Sequence, residues 1–537
     1  MSKKSEPLKR PLVLVGFDGG EWNLINPWID RGFLPNIKKI KDAGVYTDMI
    51  STIPPVTGPA LASFFTGLNP DNTGITSFIK PGGGVISYND IKNPAMWDYL
   101  GAANIRSCIV GLRLTYPPKK INGIMLSGGL LRSEGDDFIQ PEKYMDVAMG
   151  YHPDPESYPE LFNTLVKGFV KDQREFTDEL IRLTKKQFSI FVELRKKDKF
   201  LFSLLWVENT DLLQHFCWDH PEEILRLYQC LDNLMGEFLE TNPDFNLVIL
   251  SDHGFHATPD RSFSINGWLS ERGYLQPARI PLWNFIKDAV RRNLSDRLST
   301  YQKRKIRSFI GKIKKGKKNP QDSPAVFRKM PLTIAAANFG FRAELTTAFS
   351  PFTWGIYVNA DAVGYEKVRS RLISDMESFT DEEGNPVFKL IYRKEDIYSG
   401  QFFQEMPDIL FLVQDRFHVD INSHKKCFNS YHNKRKITGA HDQAYRGIAI
   451  AFGPDLKKET ALNDIRIIDF FPTVLNYFGL SIPDGIDGKS RAAVFGYVEV
   501  SSKDSGDFQP DEYQESGAYS EEEEEKIKQR LKNLGYL

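Results

Sequence analysis

The chain has 537 residues, of which 41% are hydrophobic and 26% charged, and its formal net charge is −1. This composition excludes a disordered, collagenous or disulfide-scaffold protein, and the balanced charge gives no reason to expect a nucleic-acid partner. The length predicts one large α/β core with appendages.

The cysteines and the N-terminal segment predict a reduced, cytoplasmic protein. The four cysteines are Cys108, Cys217, Cys230 and Cys427. They follow no metal-ligand spacing, and they are too few for a disulfide framework in a chain of this length. Residues 1–10 lead into a short apolar stretch without the features of a secretory signal. The most apolar window, 200–207, is far shorter than the roughly 20 residues that span a bilayer.

Short apolar runs alternate with longer helical patterns along the chain. The predicted strands lie at 11–17, 107–112, 123–128, 200–207, 246–251, 355–359, 407–413 and 447–453. The predicted helices between them include 35–43, 59–66, 172–197, 222–240 and 364–378. Continuous apolar strands separated by helices are typical of a mostly parallel sheet that is covered on both faces. The pattern therefore predicts an α/β/α sandwich.

Two segments interrupt this alternation and divide the chain. Residues 281–340 are predicted to form a basic helical insertion, because 287–318 hold thirteen Lys or Arg against two Asp, a net of +11. Residues 501–537 are predicted to be a polar linker followed by a helix that Ser520 caps, with acids in its first turn and bases later. The catalytic core is then expected at 8–280 and 341–500.

Polar side chains follow the predicted strands, where open α/β sheets place their sites. Asp18 comes directly after the first strand, and Asp252 and His253 follow the strand at 246–251. An adjacent Asp–His pair offers a carboxylate oxygen and an imidazole nitrogen to one ion. Taken alone, each of these segments also fits a turn or a strand-end cap.

Two further elements extend this pattern. Asp211 and His215 lie four residues apart just after the apolar run at 200–207. On a helix they share one face and can hold one metal, although the same spacing also suits a surface hydrogen bond. His441 lies in a loop between glycines and indicates little by itself. The coincidence of all these elements favours a metal site.

Thr57 is the candidate nucleophile. Pro54, Pro55 and Pro59 stiffen the segment around it, and Pro59 predicts the first turn of a helix that ends at about Thr66. Thr57 would then lie at or next to a helix N-terminus, where free N–H groups favour an anion. An ordinary N-cap threonine has the same local sequence, so this alternative stays open.

These residues resemble the metal and nucleophile set of the alkaline phosphatase superfamily, in its type I phosphodiesterase/nucleotide pyrophosphatase branch. In chain order the set is Asp18, Thr57, Asp211, His215, Asp252, His253 and His441. Segments 64–75, 263–275 and 464–490 are also similar to that family, and 114–128 and the ending LKNLGYL resemble a prokaryotic phosphohydrolase/phosphomutase group within it. The resemblance covers about 8–300 and 350–537 and implies an alkaline phosphatase-like fold.

The resemblance implies two divalent metal ions as cofactors. One would be held by Asp18, Thr57, Asp252 and His253, and the other by Asp211, His215 and His441. These ligand types suit Zn²⁺, with Mn²⁺ or Fe²⁺ as alternatives. Thr57 would attack phosphorus in line, and the resulting phosphothreonine would then be hydrolysed.

Departures from the family pattern bear on the substrate. Thr57 stands in place of the Cys or Ser of sulfatases and lacks their following Arg, which disfavours sulfate esters. Ala60 stands where many nucleotide pyrophosphatases have an asparagine that holds a phosphate oxygen, which argues against a nucleotide substrate and against that contact. No Lys or Arg lies within 50–70, which favours a diester monoanion. The candidates for substrate contact are Arg113, for which a solvated loop charge is the alternative, and Asn266.

The sequence therefore predicts a metal-dependent phosphodiesterase or phosphatase. A phosphotransferase or phosphomutase stays open, as does a membrane- or polyanion-binding protein with an inactive site. Apolar positions in 281–318 recur at helical spacing among the bases, which fits either a lipid-interface helix or a cap helix packed on the core. The expected partner is a phosphoester substrate, lipid-linked or polyanionic, with a peripheral membrane contact through 281–318; no specific nucleic-acid partner and no oligomeric state are predicted.

Overall fold

A computed structural model describes most of the chain. The described residues are 9–80, 83–128, 138–151, 156–242, 244–278, 336, 340–359, 364–422, 426–431, 437–457, 462, 464–497 and 519–533. The helix expected in 281–318 and the linker expected in 501–518 lie outside these residues. The division into core and insertion therefore stays a prediction.

Eighteen strands are found within the described part of the chain. They are β1 (Leu12–Phe17), β2 (Val45–Ile50), β3 (Ser107–Leu112), β4 (Gly123–Ser127), β5 (Ile139–Gln140), β6 (Phe202–Val207), β7 (Asn246–Leu250), β8 (His256–Ala257), β9 (Arg261–Ser264), β10 (Ala348–Phe349), β11 (Gly355–Val358), β12 (Phe388–Arg393), β13 (Ile409–Val413), β14 (Phe417–Asp420), β15 (Phe428–Ser430), β16 (Gly439–Ala440), β17 (Arg446–Phe452) and β18 (Ile465–Arg466). Nine of them form a central sheet in the order β18-β2-β17-β7-β1-β6-β3-β4-β5.

The α-helices of the described residues flank these strands. They are α1 (Trp22–Asp30), α2 (Pro35–Ala43), α3 (Thr57–Thr66), α4 (Pro70–Thr73), α5 (Met96–Ala102), α6 (Met145–Ala148), α7 (Pro159–Lys167), α8 (Gln173–Lys196), α9 (Asn209–Cys217), α10 (Pro221–Thr241), α11 (Ile265–Glu271), α12 (Tyr365–Glu377), α13 (Phe470–Tyr477) and α14 (Glu521–Asn533). The helices predicted at 35–43, 59–66, 172–197, 222–240 and 364–378 are confirmed to within a few residues.

The centre of the main sheet is parallel and buried on both faces. β1 pairs in parallel with β6 on one side and with β7 on the other, and β3 continues the parallel order beyond β6. Only the pairs of β17 with its two neighbours and the short β4–β5 pair are antiparallel among the pairs of this sheet. The predicted mostly parallel sheet is therefore confirmed.

Alternate residues of β1 enter two different hydrophobic clusters. Val13, Val15 and Phe17 pack with helices α1, α2, α8, α9 and α10, whereas Leu12 and Leu14 pack with α3, α5, α13 and α14. Because strand side chains alternate between faces, a strand that is apolar at every position must be covered on both sides. This arrangement is the predicted α/β/α sandwich.

The strands predicted at 355–359 and 407–413 do not join the central sheet, which corrects the sequence interpretation. They become β11 and β13 of a separate antiparallel sheet with the order β10-β11-β13-β12, which packs with α11 and α12 around a third cluster. A continuous apolar run shows that a strand is buried on both faces, but it does not specify the strand's partners. Helices α11 and α12 also pack on this second sheet. Its strands therefore show the same continuous apolar sequence as the buried parallel strands of the central sheet.

The last described helix, α14, has the predicted cap. The Ser520 hydroxyl accepts the Glu523 N–H, and the Glu523 carboxylate accepts the Ser520 N–H in return. Ile527 and Leu531 join the cluster on the α3 face of the sheet. Within the described part of the chain, no helix has both the length and the hydrophobicity that a bilayer crossing requires.

Candidate active site

Three neighbouring strands bring their carboxyl ends to one edge of the central sheet. Phe17 at the end of β1 pairs with Val207 at the end of β6, and Gly16 pairs with Leu250 of β7. The residues that follow these strands therefore meet at this edge, where open α/β sheets place their sites. Asp18, the α9 residues and the Asp252–His253 pair all lie there, as the sequence predicts.

One carboxylate oxygen of Asp18 accepts a hydrogen bond from the protein, and the other faces a histidine of the site. The Trp206 indole N–H donates to Asp18 Oδ2 at 3.0 Å, and Asp18 Oδ1 lies 3.6 Å from His253 Nε2. Gly16 makes this contact sterically possible, because a Cβ on Gly16 would lie 2.0 Å from the indole ring. The Thr210 hydroxyl donates to the Asp18 carbonyl at 2.7 Å. The carboxylate is thus oriented before any ligand binds.

Asp252 and His253 are oriented in the same way. The Gly19 N–H donates to Asp252 Oδ1 at 3.3 Å, while Asp252 Oδ2 lies 3.4 Å from His253 Nε2. His253 Nδ1 lies 2.9 Å from the Gly254 carbonyl. A carbonyl only accepts hydrogen bonds, so Nδ1 carries the proton and Nε2 presents its lone pair to the site.

Thr57 is the first residue of α3, and Val56 occupies the N-cap position without a side-chain cap bond. The Thr57 hydroxyl lies 3.0 Å from His253 Nε2, and the whole residue is buried. The ordinary N-cap alternative therefore does not describe this threonine. Its hydroxyl faces the acidic and histidine side chains.

Asp211, His215 and His441 form the other side of the site. The first two lie one turn apart on α9, with His215 Nε2 at 3.4 Å from Asp211 Oδ1, as the spacing predicts. His441 Nε2 lies 3.7 Å from the same oxygen. The His441 and His253 rings stack with centroids 4.0 Å apart, so these two imidazoles connect the two sides of the site.

The geometry gives two overlapping groups that can hold metal ions. Their ligand atoms lie within 4.8 Å of one another in each of two sets, which are Asp18, Asp252 and His253, and Asp211, His253 and His441. The first set holds three of the four expected ligands. The second holds the expected Asp211 and His441 together with His253, and it does not include the expected His215.

Unsatisfied oxygens show that the residues fit cations. Asp18 Oδ1 and Asp252 Oδ2 are buried and accept no hydrogen bond from the described residues. A buried carboxylate oxygen without a donor is costly, and a divalent cation removes that cost. Carboxylate and neutral imidazole ligands are also the donors that Zn²⁺ takes in proteins.

Burial and the closeness of other ionisable side chains also shift the pKa values of the site residues. Burial and then the Asp252 charge raise the pKa of Asp18 well above its ordinary value, and burial also raises the pKa of Asp252. Burial acts in the same direction on Asp211, but His215, His441 and Arg113 outweigh it and lower the pKa of that carboxyl. Burial, and after it the neighbouring His253 imidazole, lower the pKa of His441, which keeps its imidazole neutral and able to bind a metal.

The two substrate-contact candidates lie in different surroundings. Arg113 is 3% exposed and donates from Nε to Glu208 Oε2 at 2.9 Å, so it is no solvated loop charge. Asn266 is buried on α11, and its carboxamide contacts the backbone of Ser350 and Ile421. The substrate roles of Arg113 and Asn266 stay predictions.

Sequence reasoning overlooked two residues that touch the predicted set. Glu208 directly follows β6, so the strand-end rule that identified Asp18 also applies to it. Trp206 lies inside β6, and its contact with Asp18 depends on the neighbouring Gly16. Nothing in the local sequence of β6 indicates that contact.

Comparisons with known proteins identify the family of the chain. The model of the family "Type I phosphodiesterase / nucleotide pyrophosphatase" matches residues 12–443. Two structures of phosphonoacetate hydrolase from Sinorhizobium meliloti 1021, in complex with phosphonoformate and with phosphonoacetate, each match with 15% identity, 87% coverage of this chain, 95% coverage of theirs and a TM-score of 0.48. No curated protein matches the sequence. The chain belongs to the type I phosphodiesterase/nucleotide pyrophosphatase family of the alkaline phosphatase superfamily and is a metal-dependent phosphoester hydrolase.

Proposed function

We propose that the enzyme is a phosphodiesterase that uses Thr57 as its nucleophile and two divalent metal ions. The observation that carries this proposal is the position of the Thr57 hydroxyl, at a helix N-terminus and 3.0 Å from His253 Nε2. His253 itself lies close to both metal-capable groups. A hydroxyl in this position can reach the phosphorus of a substrate that is held by metal ions in these two sets of residues.

The protein's own groups orient the nucleophile and bind the phosphoryl oxygens. Because its Nδ1 carries a proton, His253 presents a single lone pair at Nε2, which can accept the Thr57 hydroxyl proton in the metal-free protein and would be given to the ion when a metal is bound. The first turn of α3 has free N–H groups only at Thr57 and Gly58, because Pro59 has none and the Ala60 N–H bonds to Val56. These two N–H groups would contact a phosphoryl oxygen.

That contact compensates for the missing asparagine at position 60. Ala60 is completely buried within α3, so no carboxamide projects from this turn. Backbone donors at a helix N-terminus perform the same task without a side chain. With alanine at position 60 in place of asparagine, the site would lack one substrate contact and would still be able to bind a phosphoester.

The ligand assignment follows the family resemblance. One ion would be bound by Asp18, Thr57, Asp252 and His253, and the other by Asp211, His215 and His441. When bound, two such ions supply the positive charge that lowers the pKa of the Thr57 hydroxyl and stabilises the leaving oxygen. Zn²⁺ is the proposed metal, and Mn²⁺ or Fe²⁺ are the alternatives.

A diester is the proposed substrate, because the site offers little positive side-chain charge of its own. Residues 50–70 contain no Lys or Arg. Arg113, the guanidinium nearest the metal-capable groups among the contacts described above, is already paired with Glu208. A diester carries a single negative charge, so it needs less compensation than a monoester dianion. A lipid-linked substrate remains a proposal that rests on the basic segment 281–318.

The test is a panel of soluble phosphate monoesters and diesters, each with Zn²⁺, with Mn²⁺ and with chelator. We expect diester hydrolysis that chelator abolishes and a covalent adduct on the peptide containing Thr57 after acid quench. Metal-independent turnover, or an adduct on another residue, would refute the proposal. Product analysis with an added alcohol distinguishes hydrolysis from transfer, because only a transferase forms the new ester in preference to water.

A further inference from the structure

Arg113 connects carboxylates that are expected to bind different metal ions. Its Nη1 lies 3.9 Å from Asp18 Oδ2, and its Nη2 lies 3.7 Å from Asp211 Oδ2. The third arm of the guanidinium, Nε, donates to Glu208 Oε2 at 2.9 Å. One rigid, planar group therefore spans the two halves of the site.

Arg113 forms ion pairs with the Oδ2 atom of each aspartate, at distances that are longer than a hydrogen bond. The other oxygens, Asp18 Oδ1 and Asp211 Oδ1, are the ones that face the histidines, at 3.6 Å from His253 and 3.4 Å from His215. The guanidinium thus lies behind the carboxylates, on the side away from the imidazoles. A substrate that is bound among the imidazole ligands would meet the front of these carboxylates.

The position of Arg113 is determined by its neighbours. Arg113 directly follows β3, which pairs with β6, and Glu208 directly follows β6. The ion pair therefore joins the ends of two adjacent strands and is buried, with Arg113 at 3% and Glu208 at 8% exposure. A buried pair of this kind holds the guanidinium in one orientation. The side chain of an exposed surface arginine, by contrast, samples several orientations.

We propose that Arg113, anchored by Glu208, is a positioning residue that sets the orientation of Asp18 and Asp211 and hence the binding of both metal ions. This assignment rests on the proposed two-metal function. It differs from a substrate contact, because Arg113 would act through the ligands and would not touch the phosphoryl group. Residues that orient metal ligands without binding the metal typically change metal affinity by about 10- to 100-fold when they are substituted.

The experiment compares Zn²⁺ binding by the wild-type protein and by the double variant Arg113→Met/Glu208→Gln, using competition with a chromophoric chelator. The double variant removes both charges, so neither is left buried without a partner. We expect both ions to bind about 10- to 100-fold more weakly, with the KM for a soluble diester unchanged at saturating Zn²⁺. Arg106→Met is the matched control, because Arg106 precedes the same strand, pairs with Asp198, and should leave both ions unaffected.

Wild-type affinity for both ions together with a raised KM would overturn the proposal and make Arg113 a substrate contact. Weaker binding of only one ion would also overturn it, because the fork contacts a ligand from each group. If the double variant does not fold, Arg113→Lys keeps the charge without the fork; wild-type binding of both ions by that variant would overturn the proposal, and weaker binding would support it. A wild-type protein that binds no ion refutes the proposed function itself, and this result appears before any variant is compared.

Discussion

The central sheet and the second sheet both bury carboxylates, but they satisfy them differently. Asp408, next to β13 of the second sheet, accepts hydrogen bonds from the Val358 N–H at 2.8 Å and the Tyr365 hydroxyl at 2.8 Å. Lys394 Nζ lies 3.1 Å from the same carboxylate. A buried acid with donors and a cation at this distance is fully compensated by its own protein.

At the edge of the central sheet the compensation is incomplete. Asp18, Asp211 and Asp252 are at most 1% exposed, and the guanidinium beside Asp18 and Asp211, that of Arg113, is already paired with Glu208. Asp18 Oδ1 and Asp252 Oδ2 accept nothing from the described residues. Burial alone thus does not separate a structural acid from a metal ligand; what distinguishes this edge is that two carboxylates with unsatisfied oxygens lie beside the same histidine, His253.

The comparison implies that changes at the central sheet affect chemistry, and the largest effect is expected at Thr57. Thr57→Ala should lower kcat by roughly 10⁴-fold or more, because it removes the hydroxyl on which the proposed covalent adduct forms. Folding should be retained, since Val56 and not Thr57 is the N-cap. The measurement is single-turnover kinetics on a diester, with circular dichroism to check the fold.

Thr66→Ala is the matched control for this variant. Thr66 is equally buried at the other end of α3, and its hydroxyl donates to the Ala62 carbonyl. We expect wild-type kcat and a loss of about 1 kcal/mol in the free energy of unfolding. Wild-type turnover by Thr57→Ala would show that Thr57 only shapes the helix.

Metal ligands should be the next most sensitive positions. Asp252→Asn and His441→Ala should each lower the affinity for one ion by at least about 100-fold and reduce the rate in proportion, because each removes a ligand. Metal content measured by mass spectrometry, before and after dialysis, checks this expectation. Retention of both ions and full activity by either variant would show that its ligand was wrongly assigned.

Asp232→Asn provides the corresponding control. Asp232 is also buried, but its carboxylate accepts the Asn36 and Ile37 N–H groups at the start of α2. We expect normal metal content and a lower free energy of unfolding. A loss of metal in this variant would mean that metal content responds to general destabilisation.

Beside the second sheet, the buried side chain of Asn266 on α11 should affect the free energy of unfolding and not the rate of catalysis. The Asn266 carboxamide donates to the Ser350 and Ile421 carbonyls at 2.6 and 2.7 Å and accepts the Ser350 N–H at 2.8 Å. Asn266→Ala should therefore lower the free energy of unfolding by about 2 kcal/mol, as measured by urea denaturation. A raised KM with unchanged stability would instead support the predicted substrate contact.

The smallest expected effect is a pH dependence in the metal-free protein. Burial and the Asp252 charge raise the folded-state pKa of Asp18 above the ordinary value of 3.8, so the folded state holds this proton more tightly than the unfolded state does. The stability that this group contributes is complete below pH 3.8 and is lost as pH rises through the raised pKa. Asp18→Asn does not titrate in this range and avoids that loss.

Without metal, Asp18→Asn should thus become more stable than the wild type as pH increases above 4, by at most about 1.4 kcal/mol per pH unit. With Zn²⁺ the order should reverse, because the wild type gains binding energy that the variant lacks. Thermal denaturation at several pH values, with and without chelator, measures both differences. The same order in both conditions would contradict the charge argument.

Local sequence was sufficient for the features whose causes are local. Pro59 indicated the first turn of α3, the four-residue spacing placed Asp211 and His215 on one face of α9, and Ser520 indicated the cap of α14. Asp18 and Asp252 were identified by a rule about parallel strands, which needs only the strands themselves. The family resemblance then joined these positions into one set.

Other features depended on contacts between distant segments. His441 reaches the site because β16 pairs with β8, which places Ala440 opposite His256, close to His253 in the chain. Arg113 had the local sequence of a loop charge, and only the pairing of β3 with β6 brings it to Glu208. The apolar runs of β11 and β13 likewise did not reveal that they form a separate antiparallel sheet. Hydrophobic patterns record how deeply a segment is buried, whereas its partners are chosen by long-range pairing, which only the tertiary structure decides.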